Sequence, residues 1–113
     1  MNPANTMHVR MEGEATRLFQ PEYGHFIDGQ WVPGETGRTI DLLNPATGCV
    51  LLRIQAGNAV DVERAVQATA RAFPKWSATP PGERQRIFLE IANRLRKRLD
   101  DYAMMETLNN GKQ

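Results

Sequence analysis

A chain of 113 residues, 41% hydrophobic and 24% charged, holds enough for one small folded domain and is too apolar to be disordered. A formal charge of +1 provides no global field for nucleic acid or an anionic membrane, and the single cysteine, Cys49, excludes an internal disulfide. No apolar run approaches the roughly 20 residues that span a bilayer. Met1 to Gln20 lacks the basic-then-apolar order of a secretory signal, so the cytoplasm is the expected compartment, and a lone thiol fits a reducing one.

Residues 1–22 mix Asn, Pro, Thr, Glu and Met without a period and read as a mobile leader, in which Met7 and Met11 are alternative starts. The folded portion is expected over 23–113. Apolar runs flank Asp28-Gly29, a pair that tolerates the positive φ of a tight hairpin turn, which predicts strands at about 25–27 and 30–32. Pro33-Gly34 ends the second strand. Thr39 to Leu43 reads as a third strand, stopped by Asn44-Pro45, and Ala46-Thr47-Gly48 turns the chain into a fourth from Cys49 to Ile54. The expectation is a small antiparallel meander.

After Gly57 the period changes from 2 to 3.6. Asn58 is a candidate N-cap, with Asp61 in the first turn where the helix dipole favours a negative charge. Val62, Ala65, Val66, Ala70 and Phe73 share one face of a helix over about 59–72, which Pro74 is expected to end, leaving Trp76 in a linker. Thr79 caps a second helix with Pro80 in its first position and a stripe of Ile87, Phe88, Ile91, Leu95 and Leu99. Asp100 caps a third, carrying Tyr102, Met105 and Leu108 and closed by Asn110-Gly111. The fold class is α+β: a thin hairpin sheet followed by three amphipathic helices. Their stripes exceed what so small a domain buries, and Gly111-Lys112-Gln113 is an abrupt finish just after a helix stop.

The residues carry little chemistry of their own. Cys49 opens an aliphatic strand, without the helix N-terminus or cationic neighbour that makes a thiol reactive, and reads as structural. His8 and His25 lie far apart and, with one cysteine, form no zinc set. No Ser or Cys motif accompanies either histidine, and neither G-x-G-x-x-G nor G-x-x-x-x-G-K-[ST] occurs. The run from Arg94 to Arg98 is basic, but Glu90, Asp100 and Asp101 temper it and no aromatic stacking set is interleaved; it reads as a solvated helix face.

From about Phe26 to Lys112 the chain resembles the N-terminal region of the aldehyde dehydrogenase superfamily. The hairpin Phe26 to Val32 comes first. Asn44-Pro45-Ala46-Thr47-Gly48 is similar to the family's "NPATGE" turn, with Cys49 in place of the usual Glu. Asp61 to Val66 and Ala72 to Ser77 are similar to its "DVDRAV…AFPAWS" stretch, and Glu106 to Lys112 to "ETLDNGKP". The resemblance covers only about the first fifth of a typical member and makes the fold part of an α/β aldehyde dehydrogenase. It implies oxidation of an aldehyde to a carboxylic acid with NAD or NADP: a cysteine thiolate attacks the aldehyde, hydride passes to NAD(P)+, and a glutamate-activated water releases the acid. The family's catalytic cysteine and glutamate, its oxyanion asparagine and its nucleotide-binding residues all lie downstream of "GKP". No catalytic or cofactor-binding residue is therefore expected here, and no cofactor for this chain alone. The resemblance also implies part of a structural Na+ or K+ site, at Leu42 and Leu43 through backbone carbonyls and at Asn109, which stands where the family usually has Asp. The implied partners are the remainder of the enzyme or a homologous subunit, in a homodimer or homotetramer, with no nucleic acid and no membrane. Two other readings compete: a non-enzymatic oligomerisation or interaction module pairing with a full-length homologue, and a small basic-helix nucleic-acid binder.

Overall fold

Asp28 (φ 55°) and Gly29 (φ 76°) both occupy the left-handed region that a two-residue hairpin turn of matching twist requires. The computed structural model describes residue 13 and residues 15–111. Around that turn β2 (His25–Ile27) and β3 (Gln30–Val32) pair antiparallel, His25 opposite Val32 and Phe26 opposite Trp31. The Phe26 and Trp31 rings stand 5.2 Å apart and Tyr23 adds a third at 5.6 Å from Trp31, the tilted geometry aromatic pairs prefer.

Strand β4 (Thr39–Leu43) pairs antiparallel with β5 (Val50–Gln55), and the register shifts between Leu42 and Leu43 because Leu51 is the extra residue of a bulge. The intervening turn is tied at its base: the Asn44 carbonyl accepts from the amides of Thr47 (3.2 Å) and Gly48 (2.8 Å), and the Asn44 amide donates to the Cys49 carbonyl (2.9 Å). One strand was not expected. β1 (Glu22–Tyr23) lies parallel to β5, Glu22 opposite Arg53 and Tyr23 opposite Ile54, so the three-stranded sheet runs β1-β5-β4 beside the separate β2–β3 hairpin. Two residues are too short to show a period, and a parallel partner 31 positions on leaves no local signal.

The leader lies mostly outside the described residues, including Met7, Met11 and His8, as do Lys112 and Gln113. In its described part, residues 15–18 are helical and Arg17 bonds Asp101 at 2.9 Å.

Helix α1 (Ala59–Ala78) opens on the expected cap, completed as a capping box: the Asn58 side chain accepts from the amides of Val60 and Asp61, and Asp61 accepts from the Asn58 amide. It does not stop at residue 72. Pro74 sits inside the helix, where it removes one intrahelical donor without ending it. The turns beyond are secured by Ser77 Oγ donating to the Pro74 carbonyl (3.1 Å) and Thr79 Oγ1 to that of Lys75 (2.9 Å). Trp76 is therefore helical, and Thr79 closes α1 rather than opening the next helix. Pro80 is the N-cap of α2 (Pro81–Lys97), with Pro81 first in the helix. A break at Arg98 (φ −124°) separates α2 from α3 (Leu99–Asn110), which starts one residue ahead of the expected Asp100 cap and ends, as expected, on a left-handed Gly111 (φ 74°).

Among the described residues the buried apolar side chains are Leu52, Ala68 and Leu108, one each from β5, α1 and α3. Helix α2 has none; Phe88 touches Trp76 edge-on at 6.5 Å between ring centres yet stays 62% exposed. The radius of gyration, 18.3 Å, exceeds the roughly 13 Å of a 100-residue globule. Among the described residues no helix is long and apolar enough to cross a membrane.

Stability should therefore concentrate at one position. Leu108 is wholly buried, so Leu108→Ala should cost about 2–5 kcal/mol. Leu99 is 64% exposed, and Leu99→Ala should shift stability by no more than about 0.5 kcal/mol. Urea midpoints of the two variants check this; equal effects would refute it.

Candidate functional site

The residues expected to contribute to a cation site sit on two elements. Leu42 and Leu43 end β4, where the bulge at Leu51 interrupts the regular pairing of carbonyls and amides. Asn109 lies in the last turn of α3 and is exposed. The end of α3 is seated on the turn that follows β4: a Cβ placed on Gly111 would stand 3.1 Å from Pro45 Cγ. Only glycine combines that approach with the positive φ. Asn44, between Leu43 and Pro45, is buried, with its Oδ1 accepting from the Ala46 amide at 2.9 Å. The fold thus brings together the residues that follow Leu43 and Asn109, Pro45 and Gly111. Among the described residues no group of three or more His, Cys, Asp or Glu side chains could hold a metal. Any ion at the end of β4 would rest on carbonyl and amide oxygens, a donor set suited to a hard cation.

Cys49 is exposed, at the end of the same turn. Its amide donates to Thr47 Oγ1 (3.2 Å), and its Sγ lies 3.8 Å from the Thr47 carbonyl, an acceptor for a thiol hydrogen. An open cavity of about 460 Å³ adjoins it, walled by Phe19, Pro21, Asn44, Thr47 and Val50 among others; among the described residues Cys49 is the one titratable side chain in its lining.

Titratable groups converge instead at the start of α1. Asp61 is 4% exposed. It accepts from the amides of Asn58 and Glu35, each at 3.0 Å, and is approached by Arg64 Nη1 (3.7 Å) and His25 Nε2 (3.9 Å). The amide of Asn58 is the main cause holding its carboxyl below the usual range; burial pushes the other way, and the Glu35 amide and the charges of His25 and Arg64 add to the lowering. Sequence reasoning located Asp61 as a first-turn acid but missed His25 and the loop carrying Glu35, because both reach it from distant segments. In the basic run, Arg94 bonds Glu90 (2.8 Å), which holds Glu90 low, and Arg98 bonds Asp101 (3.4 Å). Asp101 is lowered chiefly by its bond to Arg17.

The sequence profile described as the aldehyde dehydrogenase family matches residues 31–113. An aldehyde dehydrogenase of Deinococcus radiodurans is 42% identical over 94 residues, which cover 83% of this chain and 18% of that protein. The crystal structure of HpcC from Thermus thermophilus is similar with a TM-score of 0.84 at 40% identity, over 90% of this chain and 20% of that one. That of betaine aldehyde dehydrogenase from Staphylococcus aureus in complex with NAD+ gives a TM-score of 0.84 at 30% identity, over 91% of this chain and 21% of that one. The chain spans about a fifth of the length of these relatives.

Acid should loosen the start of α1. A carboxyl that is lower when folded contributes stability that is present above the ordinary carboxylate range, about pH 4, and is lost as pH falls through the lowered one. Urea midpoints should fall on acidification below about pH 4, and Asp61→Asn should flatten part of that fall; an unchanged slope in the variant would exclude Asp61 as a source.

Proposed function

The chain belongs to the aldehyde dehydrogenase family, and from that premise we propose that it forms the N-terminal portion of a cytoplasmic enzyme that oxidises an aldehyde to a carboxylic acid with NAD or NADP. The observation that carries this reading is the family match over residues 31–113, in a chain spanning about a fifth of its relatives. The portion supplies scaffold: a hairpin, a three-stranded sheet and three helices, following a leader at 1–22. Nucleophile, general base and dinucleotide site belong to the rest of the enzyme, so the chain alone is inactive and binds no dinucleotide. Its partners are the remainder of the enzyme or a homologous subunit, in a homodimer or homotetramer, rather than nucleic acid or membrane. Leu42, Leu43 and Asn109 contribute part of a Na+ or K+ site whose other oxygens come from outside the chain. The seat of α3 on Pro45 supports that placement.

A second reading is favoured by the exposed apolar side chains Val62, Val66 and Phe73 of α1 and Phe88 and Leu89 of α2. On that reading the chain is a non-enzymatic module that pairs with a full-length homologue. Co-purification with such an enzyme supports it; a monomer that melts cooperatively and takes no partner counts against it.

The purified chain should form no NADH from NAD+ with acetaldehyde, betaine aldehyde or phenylacetaldehyde. A chimera in which residues 31–111 replace the matching stretch of a full-length relative should stay active, within about tenfold in kcat/KM, a loss of about 1.4 kcal/mol. Turnover by the chain alone would overturn the claim of inactivity, and a folded but dead chimera would overturn the scaffold assignment. For the cation, the melting temperature of the same chimera should be higher in K+ or Na+ than in tetramethylammonium at equal ionic strength. Asn109→Asp should widen that difference by restoring a formal charge, and equal melting in all three salts would remove the site.

A further inference from the structure

His25 Nε2 is the one buried side-chain nitrogen or oxygen among the described residues that has no hydrogen-bond partner. It faces Asp61 Oδ2 across 3.9 Å, beyond hydrogen-bond reach. The ring is closely housed: a Cβ added at Gly34 would stand 3.2 Å from Nε2, and one at Gly57 3.4 Å from Cε1. Nε2 itself is buried, while the side chain as a whole keeps 22% exposure.

We propose that His25 and Asp61 form a proton-operated clasp between the β2–β3 hairpin and the start of α1, tight when the imidazole is protonated and slack when it is neutral.

In the neutral ring Nε2 carries either a lone pair, which a carboxylate repels, or an uncharged N–H held too far away to bond. Protonation makes Nε2 a charged donor whichever nitrogen held the first hydrogen. Closing the gap by about 1 Å then gives a charge-assisted bond, roughly twice as strong as a neutral one, and satisfies the orphaned atom. The acceptor is ready: Asp61 Oδ2 takes one bond from the Asn58 amide and retains acceptor capacity. The carboxyl, held low by that amide, remains an anion at the mildly acidic pH where imidazoles take up protons.

The other charges near the ring have settled partners. Arg64, on α1, approaches the opposite carboxylate oxygen, and its charge is met by Glu35 from the 33–38 loop at 2.7 Å. From β5 the ring's neighbourhood receives Gln55, neutral, whose Oε1 accepts from the Gly34 amide (3.2 Å) and whose Nε2 donates to Glu22 of β1 (2.5 Å). Protonating His25 therefore adds one positive charge beside one buried anion. The movement pulls on β2, and through the Glu35 amide bound to the same carboxylate it also fixes the loop leaving β3.

The test is amide hydrogen exchange of residues 25–32 in the 113-residue chain, corrected for intrinsic rates, at about pH 5.5 and about pH 8. The hairpin should be better protected at the lower pH by about threefold or more. His25→Gln, a neutral side chain that never gains charge, should bring that ratio close to one; His8 is present in both proteins, so its titration cancels. An equal ratio in the two proteins, or weaker protection at the lower pH in the parent, would overturn the clasp. Should the variant fail to fold by circular dichroism, the parent alone decides: the amide resonances of Glu35, Asn58 and Asp61 should move with the His25 ring resonances in one titration, and independent movement would overturn it.

Discussion

A carboxylate taken out of water must be met by donors, and the way Asp61 is met organises much of this chain. Its two oxygens take the amides of Asn58 and Glu35, so one side chain fixes both the first turn of α1 and the loop that follows β3. Asn58 returns the favour by capping Val60 and Asp61. The start of a 20-residue helix and the exit of a hairpin are thus set relative to each other by a polar cluster rather than by an apolar core. Replacing either amide contact with nothing would leave a buried charge short of donors, the situation proteins tolerate least.

That polar clasp matters because the apolar contribution is thin. Leu52, Ala68 and Leu108 are the buried apolar side chains among the described residues, while Phe73, Phe88 and Leu89 remain in water. Each large apolar side chain left exposed forgoes roughly 1.5–3 kcal/mol of burial. A helix such as α2, with a regular stripe and no buried residue, has its amphipathic pattern written for a surface that the described residues do not supply. The chain spans about a fifth of the length of its relatives.

The parts legible in the sequence were those whose cause is local. Asp28-Gly29 specified the hairpin because two successive positive φ values suit few other residue pairs. Asn58 and Asp61 specified the start of α1, and Asn110-Gly111 the end of α3, for similarly short-range reasons. Pro74 misled because a proline close to a helix end removes one hydrogen bond, while Ser77 and Thr79 supply side-chain donors to the carbonyls of the final turns. Strand β1 was invisible because its partner is distant and parallel. At the expected cation site the residue types came only from the resemblance; no periodicity foretold that Gly111 would be pressed against Pro45. The same holds for His25, which reads as an ordinary strand residue until the fold sets it beside Asp61.

The turn from Asn44 to Gly48 shows why a conspicuous residue need not be a reactive one. Cys49 is the only thiol in the sequence and stands at a cavity, yet its Sγ faces the Thr47 carbonyl, and among the described residues no cationic group lines that cavity. A nucleophilic thiolate needs the opposite environment, with positive charge or helix-terminal amides facing the sulfur. The amides nearby are already committed: those of Thr47 and Gly48 go to the Asn44 carbonyl, that of Ala46 to the Asn44 side chain, and that of Cys49 to Thr47 Oγ1. A turn that spends its donors on its own closure holds a strand end and seats a helix, but leaves none to stabilise an anion.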